Sequence, residues 1–128
     1  MAEKKQKAGK KDNKISIKSR NLRLSTKASI TVCKKINSMN FPKGKSLLED
    51  MVSKKRSING KYYTNVSRQL LKIMNLAESN AEFRGLDTSR LFTHASAGKG
   101  FNFRTPRRFK LRRKAKKLTN IEMVVEQR

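Results

Sequence analysis

A chain of 128 residues carries 33 Lys and Arg against 9 Asp and Glu, a formal net charge of +24. That length suits one domain with a modest core rather than two, and such a charge calls for a polyanionic partner, because a lone compact fold would repel itself. With no run of ~20 apolar residues, no Trp and no basic helix with a clean aromatic face, nucleic acid is favoured over membrane as that partner.

Residues 1–14 are rich in lysine, have no apolar h-region and read as a disordered basic arm, so a cytoplasmic rather than a secreted protein is expected. Ile15-Ser16-Ile17 and Leu22-Arg23-Leu24 alternate at period two, which suits a short strand or extended segment. Ser25 or Thr26 is placed to cap a helix, since a side-chain oxygen there accepts an unpaired N–H of the first turn. Ala28, Val32, Cys33, Ile36 and Met39 carry that helix to about Ser38. Cys33, the only cysteine, excludes an internal disulfide and any cysteine-based metal cluster, and its apolar setting predicts a buried, inert thiol.

Pro42 suits a helix start, where its missing N–H costs nothing, and Leu47, Leu48, Met51 and Val52 supply the apolar stripe of a second helix. Asn59-Gly60 marks a turn in the loop that follows. Val66, Leu70, Ile73, Met74, Ala77 and Ala81 fall on one face of a third helix, the predicted centre of the core. Thr64 or Asn65 is expected to cap its start. Gly85 followed by Leu86 predicts a left-handed C-cap with its apolar contact.

Beyond Asp87 the period becomes two. Leu91, Thr93 and Ala95 alternate with Phe92, His94 and Ser96, and a matching run, Ile121, Met123 and Val125, closes the chain. Two such strands pair as an antiparallel hairpin. Between them, Lys99 to Lys117 holds ten Lys or Arg in nineteen residues, with no acid and with Phe101, Phe103 and Phe109 interspersed. If the stretch continues both strands, each arm has roughly nine residues and reaches about 30 Å. Such a finger buries no core of its own and is marginal in isolation. Packed into RNA, Arg offers a planar fork to phosphate, Lys a point charge and Phe a face for an unstacked base. A solvated, disordered basic loop is the plainer alternative.

Three other constellations carry less. Glu78 and Glu82 lie four apart on the third helix, a like-charge pair that needs nearby cations; pairing with Arg84, Lys72 or a neighbouring basic segment is favoured over catalysis. His94 is a lone histidine with no second ligand at metal spacing, so a structural or RNA-facing role is favoured. Lys43-Gly44-Lys45-Ser46 lacks the upstream glycine and strand of a phosphate-binding loop.

Thr64-Asn65-Val66-Ser67-Arg68-Gln69-Leu70-Leu71 and Asn75-Leu76-Ala77-Glu78-Ser79-Asn80-Ala81-Glu82 resemble the long helix of large-subunit ribosomal protein twenty-two, called seventeen in eukaryotic nomenclature. Ser19-Arg20-Asn21-Leu22-Arg23-Leu24, Gly85-Leu86-Asp87, Pro106-Arg107 and Thr119-Asn120-Ile121-Glu122-Met123-Val124 follow in the family's order. Together they resemble its archaeal and eukaryotic branch from about Lys18 to Glu126. The resemblance implies an α+β domain over residues 15–128, with three helices packed on a three-stranded antiparallel sheet and a long β-hairpin over 97–119. It implies a structural constituent of the large ribosomal subunit, with no enzyme activity, no cofactor and no metal. The hairpin would thread through large-subunit ribosomal RNA and line the nascent-peptide exit tunnel.

By position, the RNA-binding residues would be Lys18, Arg20, Arg23, Lys99, Arg104, Arg107, Arg108, Lys110, Arg112, Arg113, Lys114, Lys116 and Lys117. The tip would comprise Thr105, Pro106, Arg107, Arg108, Phe109 and Lys110. Implied partners are that RNA, neighbouring large-subunit proteins near the tunnel exit and, transiently, the nascent polypeptide; neither a membrane nor a second copy is expected. The cytoplasm is the implied location, with nucleolar transit during assembly if the source is eukaryotic. The chain departs from the family's pattern where a small residue and a glycine usually follow the Pro-Arg step, and where Asn120 replaces a common histidine. The rival class is a free nucleic-acid-binding regulator or compaction protein; a nuclease, lacking a carboxylate cluster or paired histidines, is a distant third.

Overall fold

The computed structural model describes residues 13–128. In chain order the elements are β1 (Lys14–Leu22), α1 (Thr26–Ile36), β2 (Met39–Asn40), α2 (Phe41–Val52), α3 (Thr64–Phe83), β3 (Leu91–Arg104) and β4 (Ala115–Gln127). The strands form one antiparallel sheet in the order β1-β4-β3-β2, and the helices cover one face of it. The α+β architecture expected of the sequence is therefore present, with four strands instead of three. Of the basic arm expected over 1–14, residues 1–12 lie outside the described residues, and Lys14 belongs to β1.

The added strand is two residues long and left no period to read. Asn37 ends α1, Ser38 turns at φ 64°, and Met39 and Asn40 then pair with Thr93 and Phe92. Ser38 donates its N–H to the Thr93 carbonyl, and the Asn37 side chain accepts the Ala95 N–H at 2.7 Å. This connection ends α1 at Ile36, two residues before the expected limit.

The helix signals act mostly as the sequence suggests. Ser25 caps α1 by accepting the Ala28 N–H, and Pro42 lies in the first turn of α2. The cap of α3 differs: Tyr63, at φ 45°, stands there without a side-chain bond, and Thr64 and Asn65 lie inside the helix. At the other end Gly85 (φ 73°) donates to Glu82 and Leu86 donates to Ala81, the paired bonds of a Schellman motif.

The core lies between the sheet and the three helices. Val66, Leu70, Ile73, Met74, Ala77 and Ala81 of α3 are all buried there, with Phe41, Leu48 and Met51 of α2 and Val32, Cys33 and Ile36 of α1. From the sheet come Ile15, Ile17, Leu91, Ala95, Ile121, Met123 and Val125. Gly44 is a packing residue of α2: a Cβ there would meet Ile36 at 3.5 Å and Met74 at 3.6 Å. Its neighbour Lys45 pairs with Glu78 of α3 at 2.7 Å, so the carboxylate is held by a basic segment of the adjoining helix. Burial drives the Cys33 thiol up to about 11, consistent with an inert core residue.

Candidate nucleic-acid interface

β4 is the strand on which body and finger meet. Its C-terminal half is flanked on both sides, pairing with β1 from Lys14↔Glu126 to Leu22↔Thr119 and with β3 from Leu91↔Gln127 onward. Past Thr119 only β3 accompanies it, as far as Arg104↔Ala115. The two-stranded part therefore covers five residues of β3, Gly100 to Arg104, about 17 Å at the antiparallel rise. That is shorter than the expected 30 Å, because the strands stop pairing at Arg104 and Ala115 and the residues between them form a loop instead of extending both arms.

The root of the finger is a β-bulge. Lys99 faces Thr119 but Asn102 faces Lys117, so β3 carries one residue more than β4 there. Gly100 permits it: a Cβ at that position would lie 3.0 Å from the Leu118 carbonyl oxygen and 3.0 Å from Asn120 Oδ1. Two asparagines fasten the irregularity. Asn21, at φ 57°, donates its N–H to Asn120 Oδ1 at 2.9 Å, and its own Oδ1 accepts the Phe101 N–H at 3.3 Å. Asn tolerates this left-handed backbone better than most residues. Beside them the Thr119 hydroxyl donates to the Leu24 carbonyl at 2.8 Å and accepts from Thr26 at 2.9 Å. The finger's base is thereby tied to both β1 and the start of α1.

The tip occupies residues 105–114 and is organised without glycine. The Thr105 hydroxyl lies 2.9 Å from the carbonyl oxygens of both Leu111 and Lys114, sharing its proton across the loop. Phe109–Leu111 form a single tight helical turn. The left-handed position falls on Arg113, at φ 59°, where a side chain costs about 1–2 kcal/mol relative to glycine. The expected tip residues Thr105 to Lys110 are the first part of this loop, and Leu111 to Lys114 complete it.

Charge is unevenly divided along β4. At its body end Glu126 meets Arg128 at 2.9 Å, Lys14 at 3.2 Å and His94 at 3.4 Å, and Glu122 meets Lys18 at 3.5 Å. Hydrogen bonds from Arg128 and then Lys14 hold the Glu126 carboxyl below its usual range. Among the described residues, no Lys or Arg of Lys99 to Lys117 forms an ion pair. All ten are exposed.

The structure gathers most of the sequence-assigned cations but not all. Lys99, Arg104, Arg107, Arg108, Lys110, Arg112, Arg113, Lys114, Lys116 and Lys117 lie on the finger, and Lys18 and Arg20 flank its root with Gly98 and Asn120. Arg23 sits apart, beside Tyr63 and Thr64 at the start of α3. The three phenylalanines are exposed: Phe101 and Phe103 meet edge to face at 5.0 Å, and Arg112 lies over Phe109 at 5.6 Å. The sequence pattern does not single out Asn21 or Thr119, and it marks Asn120 only as a departure from the family's common histidine. Gly98-Lys99-Gly100 was the available signal, since glycine within a strand often marks a bulge.

The family model for ribosomal protein L22p/L17e matches residues 17–126, a span that includes every helix and all but the start of β1 and the last residue of β4. The chain belongs to this ribosomal protein family. It is similar to the large ribosomal subunit protein uL22 of Methanocaldococcus jannaschii, with 28% identity over 131 residues and 84% of each chain covered. The uL22 protein of Archaeoglobus fulgidus is 30% identical, covering 82% of this chain and 83% of its own length. That of Pyrobaculum aerophilum is 32% identical, covering 80% and 68%. The L22p/L17e family is structural rather than enzymatic, and membership accounts for the order in which the motifs occur along the chain.

Proposed function

We propose that this protein is a structural constituent of the large ribosomal subunit that binds large-subunit ribosomal RNA through its finger. The carrying observation is the finger itself: ten exposed cations, no acid and no internal ion pair among the described residues, on a ribbon projecting beyond the core. A body that pairs Asp50, Glu78, Glu122 and Glu126 with its own cations and leaves the finger's charge uncompensated is built for a polyanion. Phosphates meet the Arg and Lys side chains, while Phe101, Phe103 and Phe109 offer faces to unstacked bases. Arg20 extends the contact over the root, beside Lys18, whose ammonium group is already paired with Glu122, and Arg23 makes a separate one near α3.

In this reading residues 15–128 act as one ribosomal-protein domain preceded by a basic arm. The tip, at 105–114, forms part of the wall of the nascent-peptide exit tunnel. Family membership supports both assignments. Two measurements test the proposal. The chain should sediment with large subunits after a moderate salt wash. The purified protein should lose about 10³–10⁵ in affinity for a ribosomal RNA fragment between 50 and 200 mM salt, as expected for six to ten phosphate contacts. Binding that ignores salt refutes phosphate neutralisation, and absence from the particle refutes the ribosomal role.

A further inference from the structure

A recess of about 540 Å³ lies where the finger's root meets the beginning of α1. Its lining includes three apolar side chains, Leu24, Ile30 and Leu118, and three lysines, Lys27, Lys99 and Lys117. Asn102 joins them from the finger. Both chain segments that build it are acid-free: no Asp or Glu occurs between Asp12 and Glu49 or between Asp87 and Glu122.

The hydroxyls at the recess are already engaged, Ser25 with the Ala28 N–H and Thr26 with Thr119. The side chains of the three lysines and of Asn102 have no hydrogen-bond or ion-pair partner among the described residues. The site thus offers apolar surface, three positive charges and one amide to the same occupant. A simple anion uses only the charges, and a base-paired duplex hides its base faces. A nucleotide out of the stack presents an apolar face, hydrogen-bonding edges and flanking phosphates together, and the volume lies within the range of ligand pockets.

We propose that this recess takes one unstacked nucleotide of a single-stranded RNA segment. The base lies against Leu24, Ile30 and Leu118, its phosphates meet Lys27, Lys99 and Lys117, and Asn102 bonds to the base edge. This rests on the RNA-binding reading above and adds to it an occupant that phosphate neutralisation alone does not require.

The test is a titration of methyl-labelled full-length protein, read by nuclear magnetic resonance, with four probes: a single-stranded RNA tetranucleotide, a short blunt RNA duplex, inorganic phosphate and tetraglutamate. The tetranucleotide should shift the methyls of Leu24, Ile30 and Leu118 saturably, whereas the duplex should leave those three methyls in place and shift only other finger resonances. Asn102→Ala should weaken the tetranucleotide by about 2- to 10-fold, the worth of one hydrogen bond, and leave the duplex unchanged. Methyls that stay still under the tetranucleotide while the duplex moves the finger overturn the nucleotide site alone. No response to either RNA overturns the RNA-binding reading with it. Equal methyl shifts with phosphate or tetraglutamate mean a general anion site and also overturn the proposal.

Discussion

Replacing Gly100 by Ala should damage the root of the finger, whereas the same change two residues earlier should not. At Gly100 the new Cβ falls 3.0 Å from the Leu118 carbonyl oxygen, 3.1 Å from its carbonyl carbon and 3.0 Å from Asn120 Oδ1. Ordinary contact begins near 3.4 Å, so β4 backbone has to retreat by several tenths of an ångström. The retreat cannot be absorbed by a flexible side chain, because two of the three atoms belong to the main chain. It also disturbs Asn120, which accepts the Asn21 N–H, and Thr119, which is bonded to Leu24 and Thr26. Overpacking of this kind costs about 1–3 kcal/mol. Gly98 has nothing within 4 Å of its would-be Cβ, and neither glycine has a left-handed backbone that a side chain would strain. Gly98→Ala should therefore stay within about 0.5 kcal/mol, the usual range for a surface change. Urea unfolding of both variants gives the comparison, and amide exchange at Phe101 reports whether its bond to Asn21 survives. Equal midpoints for the two variants, with Phe101 still protected in Gly100→Ala, would refute the account of the bulge.

Three further outcomes follow from the body. Thr93 is wholly buried and its hydroxyl has no partner, so Thr93→Val should be neutral or stabilise by up to about 1 kcal/mol in urea unfolding; a marked loss would mean that the hydroxyl is satisfied. The Lys45–Glu78 pair is short, at 2.7 Å, but both side chains keep more than a quarter of their exposure, so Glu78→Gln should cost at most about 1 kcal/mol, measured in the same way. The Cys33 thiol is raised to about 11 by burial. Its contribution is complete below the ordinary thiol range and is lost as pH climbs from there through 11, because the unfolded chain releases the proton first. Stability should fall across that window, less so in Cys33→Ala, and a thiol reagent should label native protein only at the rate of unfolding; rapid labelling at neutral pH would contradict the buried setting.

The elements that were legible in the sequence are those whose side chains repeat against the core. The stripe from Val66 to Ala81 and the alternations around Leu91 and Ile121 are of this kind, because burial imposes the period of the backbone on the residue pattern. Gly85-Leu86 was legible for a different reason: the Schellman turn needs a left-handed residue followed by an apolar one. What escaped was built from single contacts. The pairing of Met39 and Asn40 is two residues long, and its anchors, Asn37 and Ser38, belong to a turn that has no periodic face. Tyr63 takes the α3 cap position by backbone conformation alone, which composition does not announce. At the candidate interface the charge was obvious, but the clamp of Asn21, Gly100 and Asn120 joins residues up to 99 positions apart. Only the fold brings them together.

The division of charge along β4 determines which cations serve folding and which serve binding. Lys14 and Lys18 lie opposite Glu126 and Glu122 in the β1–β4 register, and their ammonium groups reach those carboxylates. Beyond Asn120 the strand has lysines at 116 and 117 and no acid, so the field there is uncompensated. Lys114→Ala and Lys116→Ala should each leave urea stability within about 0.5 kcal/mol, since their side chains are exposed and make no ion pair. Each should lower the slope of log affinity against log salt by about 1 for every phosphate that the missing ammonium group neutralised. Lys14→Ala should do the reverse, with a small loss of stability and an unchanged slope. If Lys14→Ala changed the slope as much as Lys116→Ala, binding would respond to net charge as a whole and the finger would have no special part in it. A slope that falls only for the finger variants locates the phosphate contacts on the segment that the body leaves unneutralised.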